Sequence, residues 1–326
     1  MPRFLRKHVT QTVDEAGRMK PEDLVVPKPE KKDSGEADQA ESGSTNGKAA
    51  DEPRSDAPNG ASGPAKQPDS PKNKGPAKVI AFANQKGGVA KTTTALNLAV
   101  AFKESGHRVL AVDMDPQGNL TMSQGVDPDK VEKSMFDVLV HRIPISEVIV
   151  EREIDVAVAS IDLAGAEIAM STQIGRERAL QKGLEGVRND YDFVCIDTPP
   201  SLGLLTVNAL TAADKVIVPV QCEYLSMRGL VQLQNTLQMI RENLNPGVEI
   251  EGILPTMLDS RTVHAKEAVE ILEENFGELV FKSRIRKAIK FAEAPVRGTS
   301  VLKYDPKSKA AGAYRELAKE VLTHGS

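Results

Sequence analysis

The sequence predicts an α/β protein built on a doubly wound, mostly parallel β-sheet, and three observations lead there. From Lys78 onward, short apolar runs alternate with longer segments whose apolar residues recur at helical spacing. Several runs are apolar without interruption (Arg108-Val109-Leu110-Ala111-Val112, Phe193-Val194-Cys195-Ile196, Val216-Ile217-Val218), as expected of strands covered by helices on both faces. A glycine-rich loop separates the first apolar run from the first helical segment, at the carboxyl end of a strand, where such sheets bind ligands.

The first strand is expected over 79–84, followed by a helix near 92–105 and a second strand over 108–113. A helix near 131–140 precedes a strand over 154–159. A long helical stretch near 165–188 leads to the strand over 192–197. The remaining strands are expected over 215–220 and 248–257, with helices near 203–212, 226–244, 262–275 and 309–323. Residues 28–77 contain no Ile, Leu, Val, Met or aromatic side chain. Such a segment cannot bury enough apolar surface to offset its ordering entropy, so 1–77 is expected to be a disordered arm and linker and 78–326 the folded domain. The few apolar residues of 1–27 (Phe4, Leu5, Val9, Val13, Leu24, Val25, Val26) fit a mobile tail better than a contacting arm.

Composition narrows the class. With 326 residues, 40% of them hydrophobic, the chain can hold one large α/β domain. No apolar run approaches the ~20 residues of a membrane span, and the basic N-terminus Met1–His8 has no hydrophobic core behind it, unlike a secretory signal. Two well-separated cysteines, Cys195 and Cys222, fit a reducing cytosol and no disulfide framework. A net charge of −4 means that any nucleic-acid site must be local.

The loop Asn84-Gln85-Lys86-Gly87-Gly88-Val89-Ala90-Lys91-Thr92-Thr93 carries the chemistry. Backbone N–H groups of such a loop point inward, and the helix behind it adds partial positive charge where an anion sits. Lys91 supplies an ammonium for the outer phosphates, and the Thr92 hydroxyl suits Mg²⁺. A strict G-x-x-x-x-G-K-[ST] loop would have glycine at Gln85 and Ala90. The added methyl at Ala90 is tolerable at negative φ and harmful at positive φ. After the second strand, Asp113 and Asp115 stand at i and i+2, a spacing that projects both carboxylates to one side beside a triphosphate. The fourth strand closes on Asp197-Thr198-Pro199-Pro200-Ser201, an aspartate placed to hold the Mg²⁺ shell.

These motifs resemble the ParA/MinD family of P-loop ATPases, and the chromosomal partition ATPases of the ParA/Soj type in particular. Lys86-Gly87-Gly88-x-x-Lys91-Thr92-Thr93 matches the family's deviant Walker A loop, Asp113–Asn119 its Walker A′ motif and Asp197–Ser201 its Walker B motif. Gln221-Cys222-Glu223-Tyr224 matches a segment near the nucleotide and dimer surface. The resemblance spans 78–324. It implies ATP and Mg²⁺ as cofactors, with the loop 86–93 as the binding site. Lys86 reaches the nucleotide of a partner subunit in an ATP-dependent homodimer. Asp115 positions the attacking water, Asp113 assists, and Thr92, Asp113 and Asp197 serve the metal. The segments around Met257 and Pro295 resemble those that contribute to the adenine pocket, where the two side chains would sandwich the purine.

From Lys282 to Lys303 there are seven Lys/Arg against one acid, Glu293, a local reversal of the chain's charge. In the resemblance, basic residues here (Arg284, Arg286, Lys287, Lys290) and at Arg261 bind nucleoid DNA without sequence preference. It also implies a ParB-like centromere-binding partner that stimulates hydrolysis, and a cytoplasmic, nucleoid-associated protein with no membrane role. The competing expectation is a MinD-like membrane-cycling regulator, but the C-terminal segment 313–324 is mixed in charge with a modest apolar face. An Fe–S reductase would need a Cys-x-x-Cys pair, which is missing. A metabolic synthetase would leave the basic segment without a use.

Overall fold

The computed structural model describes residues 75–221, 227–259 and 263–324. The expected arm over 1–77 therefore lies outside the described residues except for 75–77, as do Cys222, Glu223, Tyr224 and Arg261.

The strands β1 (Lys78–Phe82), β2 (Val109–Asp113), β3 (Ile149–Glu151), β4 (Asp155–Ala157), β5 (Phe193–Asp197), β6 (Lys215–Gln221) and β7 (Glu249–Thr256) form one sheet in the order β3-β4-β2-β5-β1-β6-β7. All neighbours run parallel except β3 and β4. β1, β2 and β5 are almost wholly buried, as their uninterrupted apolar runs require. The chain leaves β1 for β2 on one side, returns to β5 beside β1, then crosses to β6 on the other side. Loops after β1, β2 and β5 therefore open at the same end, around the point where the winding reverses.

The helices are α1 (Lys91–Glu104), α2 (Asn119–Ser123), α3 (Met135–Val140), α4 (Ala166–Ala169), α5 (Ala179–Glu185), α6 (Leu204–Ala212), α7 (Met227–Asn243), α8 (Val263–Phe276), α9 (Lys290–Val296), α10 (Val301–Tyr304) and α11 (Lys309–His324). α1 is buried along most of its length, from Thr94 to Phe102. α11 packs its Ala310, Ala311, Tyr314, Leu317, Ala318 and Val321 face into the same apolar cluster. Burying each large side chain of that face contributes about 1.5–3 kcal/mol relative to exposure.

Three expectations are corrected. The helix near 165–188 is two short helices: α4 ends at Ala169, and Gly175 turns left-handed (φ 69) ahead of a 3-10 turn over Arg176–Arg178 that leads into α5. The helix near 131–140 starts at Met135, where Ser134 and Asp137 form a capping box that fixes the first turn. β3 was not expected. It is a three-residue antiparallel edge strand, half-exposed, too short to leave a periodic signature.

Candidate functional site

β1 delivers the chain to a loop held from several sides. The Asn84 amide donates to the Pro219 carbonyl (2.7 Å), and its own oxygen accepts from the Lys86 N–H (3.0 Å), tying the loop to β6. The Thr256 hydroxyl donates to the Val89 carbonyl (3.0 Å), tying it to the end of β7. Thr198, just past β5, donates to the Phe82 carbonyl (2.7 Å). These threonines carried no role in the sequence reading, since their partners lie 116 and 167 residues away. The loop turns through two left-handed positions, Gly88 (φ 74) and Ala90 (φ 67), before α1 begins at Lys91. Ala90 thus takes the conformation that glycine adopts freely and alanine does not, at a cost of about 1 kcal/mol. No acidic side chain occupies the first turn of α1, so its N–H groups and dipole face the loop uncompensated.

Lys91 is 7% exposed and reaches back to the Lys86 carbonyl (3.3 Å), while Lys86 itself stands at the surface. Burial lowers the Lys91 ammonium below its usual value, opposed by the charges of Asp197 and Asp115. Asp113 and Asp197 are register neighbours on β2 and β5 and are completely buried. Burial raises the Asp197 carboxyl well above its ordinary range, helped by the negative charge of Asp113 and opposed by Thr92 and Lys91. Neither Asp197 oxygen has a well-formed hydrogen bond. A buried carboxylate left in that state is costly unless a cation or water completes it. With the half-buried Thr92 hydroxyl nearby, the residues present fit a divalent ion and its water shell.

Asp113 differs from the expectation. Both its oxygens are engaged by protein: the Thr121 hydroxyl (2.7 Å) and N–H (2.9 Å) donate to one, the Asp115 N–H (3.2 Å) to the other. Burial still lifts its carboxyl to about 6. It therefore anchors the loop that presents Asp115. Asp115, 7% exposed, accepts from the Gln117 N–H (3.0 Å) and lies within electrostatic reach of Lys91 and Asp197. Sequence reasoning missed Thr121, whose oxygen also accepts from the Ala159 N–H (3.0 Å). Nothing in the sequence pattern marks it.

Pro295, in α9, lines a cavity of about 30 Å³ with Thr92, Thr93, Ser123 and Phe291. Met257, just past the end of β7, is half-buried at φ 56 and is not among the residues lining this small cavity.

The basic segment is sorted by its partners. Arg284 is ion-paired with Glu273 and Lys290 with Asp305, so both are partly neutralised. Arg286 and Lys287 are exposed and held on the rim by backbone pairing to Leu258, with no ion pair among the described residues. Lys282, Arg297 and Lys303 are exposed as well.

A phosphate-cradling loop between a central parallel strand and a buried helix, flanked by Lys91, Thr92, Asp115 and Asp197, defines a P-loop nucleoside-triphosphatase fold. A family model described as an AAA domain matches residues 77–250. The chain is 46% identical over 251 residues to the sporulation initiation inhibitor protein Soj of Bacillus subtilis, covering 76% of this chain and 99% of that protein. It is 42% identical over 253 residues to the chromosome partitioning protein ParA of Caulobacter vibrioides, covering 76% and 95%. A solved structure of cobyrinic acid a,c-diamide synthase from Mycobacterium smegmatis, with bound ADP and magnesium, superposes with a TM-score of 0.68 at 43% identity, covering 76% and 95%. The chain belongs to the ParA/Soj family of partition ATPases.

Proposed function

We propose that this protein is an ATP- and Mg²⁺-dependent DNA-partition switch. The loop 86–93 and the N-terminus of α1 hold the triphosphate, Lys91 pairs with its outer oxygens, and Met257 and Pro295 flank the base. Thr92 and Asp197 hold Mg²⁺, which when bound offsets the negative charge of the outer phosphates. Asp115 orients the attacking water, and Asp113 with Thr121 keeps the Asp115 loop rigid.

Two copies close on ATP, with Lys86 of each completing the site of its partner subunit. The contacts to ATP that cross the interface exist only in the closed pair, so ATP shifts the population toward it. That pair grips nucleoid DNA without sequence preference through Arg286, Lys287 and their exposed neighbours. A ParB-like centromere-binding protein stimulates hydrolysis and releases a weakly binding monomer.

The observation that carries this reading is the fully buried Asp197 carboxylate, without a well-formed hydrogen bond, beside Lys91 and Asp115, both almost fully buried, at a phosphate loop. The test is a gel-shift of the purified chain on random-sequence duplex with Mg²⁺ and ATP, ADP or no nucleotide. Binding should require ATP and weaken steeply with salt, as expected when several phosphates are neutralised. ATP-dependent binding to vesicles in place of DNA would instead support a MinD-like membrane cycle. Against that reading, no helix among the described residues is long and apolar enough to cross a membrane, and the apolar face of α11 is already packed in the core cluster.

The structure from Mycobacterium smegmatis makes a second reading concrete: the same site could use ATP to activate a carboxylate of cobyrinic acid for amide formation. ATP turnover that depends on cobyrinic acid and an ammonia source, and ignores DNA, would select it.

A further inference from the structure

We propose that Asn97 is a positioning residue that sets the basic segment according to what occupies the phosphate loop. The inference rests on the reading above. Asparagine is a poor helix former, yet Asn97 lies in the middle of α1 and is 3% exposed. Both its polar atoms are engaged. Its amide donates to the Thr93 carbonyl (2.6 Å), one residue from Thr92 and two from Lys91. Its oxygen accepts from the Val301 N–H (2.8 Å), 204 residues away in sequence.

Val301 is the first residue of α10, and its N–H is one that the helix cannot satisfy itself. The same corner is gripped by Glu153, whose carboxylate accepts from the Thr299 hydroxyl (2.9 Å), the Ser300 N–H (2.8 Å) and the Ser300 hydroxyl (2.6 Å). A second clamp is steric. Gly298 (φ 65) lies against the backbone of Gly125, so close that a Cβ at 298 would stand 3.0 Å from the Gly125 Cα. Gly125 follows α2, and α2 carries the Thr121 that holds Asp113.

The corner 298–301 therefore touches both halves of the phosphate site: α1 through Asn97, and the Asp113–Asp115 loop through Gly125. On either side of it stand Arg297 and Lys303, and α9 carries Lys290. The cavity of about 30 Å³ between Thr92, Thr93, Asn97, Phe291 and Pro295 is of one-water size, which leaves room for a small shift of α9 against α1. A displacement at Thr92 or at the Asp115 loop is passed to the basic segment because the Asn97–Val301 bond is buried and the Gly298–Gly125 contact is tight.

The test uses the full chain with Asn97→Ser and Asn97→Asp. Serine can still bond to the Thr93 carbonyl one turn back but cannot reach Val301, whereas aspartate retains an acceptor for the Val301 N–H and, as the neutral acid that burial favours, a donor for the Thr93 carbonyl. Three quantities are read: affinity for a fluorescent ATP analogue with Mg²⁺, the nucleotide-induced change in amide exchange over 290–304, and affinity for random duplex with and without ATP. We expect Asn97→Ser to bind nucleotide within threefold of the parent. It should lose the exchange response and at least tenfold of the ATP-dependent gain in DNA affinity. Asn97→Asp should keep both responses.

The proposal is overturned if Asn97→Ser keeps the full exchange response, or if nucleotide affinity falls by the same factor as DNA affinity, which marks a merely structural staple. A parent protein that binds no DNA in any nucleotide state sinks the partition reading. The proposal then stands or falls on the exchange response alone: present in the parent and lost in Asn97→Ser supports it, absent from the parent refutes it.

Discussion

Replacing Ala90 with glycine should stabilise the protein, although the change removes a methyl group from a half-buried site. Ala90 sits at φ 67, ψ 35, where an L side chain costs about 1 kcal/mol that glycine does not incur. It is also the residue preceding the first turn of α1, with no side-chain cap, and its carbonyl already accepts from the Thr94 N–H at 2.9 Å. Glycine is favoured over alanine at that position by several tenths of a kcal/mol. Against these gains stands the larger unfolded-state entropy of glycine, about 0.5–1 kcal/mol. The net is roughly 0.5–1 kcal/mol in favour of Ala90→Gly. In urea unfolding of the nucleotide-free protein this should raise the midpoint by about 0.2–0.4 M with an unchanged slope, and in thermal unfolding it should raise Tm by about 1–4 °C. Ala90→Val should shift both in the opposite direction, because a branched Cβ is worse still in the left-handed region. Nucleotide affinity of Ala90→Gly should stay within threefold, since the backbone path is already the one glycine prefers. A glycine variant that is less stable than the parent would refute the reasoning and place the loop at negative φ in solution.

Further outcomes follow from the site. Asp115→Ala should lower ATP hydrolysis at least a hundredfold while ATP-dependent self-association, followed by light scattering, persists; unchanged hydrolysis removes its role with the water. Lys86→Ala should leave monomer binding of nucleotide nearly intact but abolish association with a non-hydrolysable analogue, measured by sedimentation. Arg286→Ala with Lys287→Ala should cut random-duplex affinity at least tenfold and flatten its salt dependence by about two phosphates. Arg284→Ala, already paired with Glu273, should have a smaller effect. Thr121→Val should destabilise by about 2–3 kcal/mol in urea unfolding, because it strips a buried carboxylate and the Ala159 N–H of one shared partner; it should also slow hydrolysis more than it weakens nucleotide binding.

The order of strands and helices was readable along the chain because each depends on a local pattern. The runs at β1, β2, β5 and β6 are apolar apart from their end residues since both faces of those strands are covered, and this leaves its mark in four or five consecutive residues. The phosphate loop was readable for the same reason: Lys86, Lys91 and Thr92 stand at short fixed spacing, and the closing Asp197 follows an apolar run directly. The three-residue β3 and the break at Gly175 escaped notice, since neither extends over a full structural period.

Sequence alone, then, determined the alternation of strands and helices, the phosphate loop and the local excess of positive charge from Lys282 to Lys303, all properties of neighbouring residues. Tertiary structure decided what those residues meet. It turned Ala90 left-handed, closed Asp113 with Thr121 while leaving Asp197 open, and joined Asn97 to Val301. It also neutralised Arg284 and Lys290 with Glu273 and Asp305 while leaving Arg286 and Lys287 to the solvent. Hydrogen bonding, burial and charge pairing act across space, and partners a hundred or more residues apart become neighbours only once the sheet is wound.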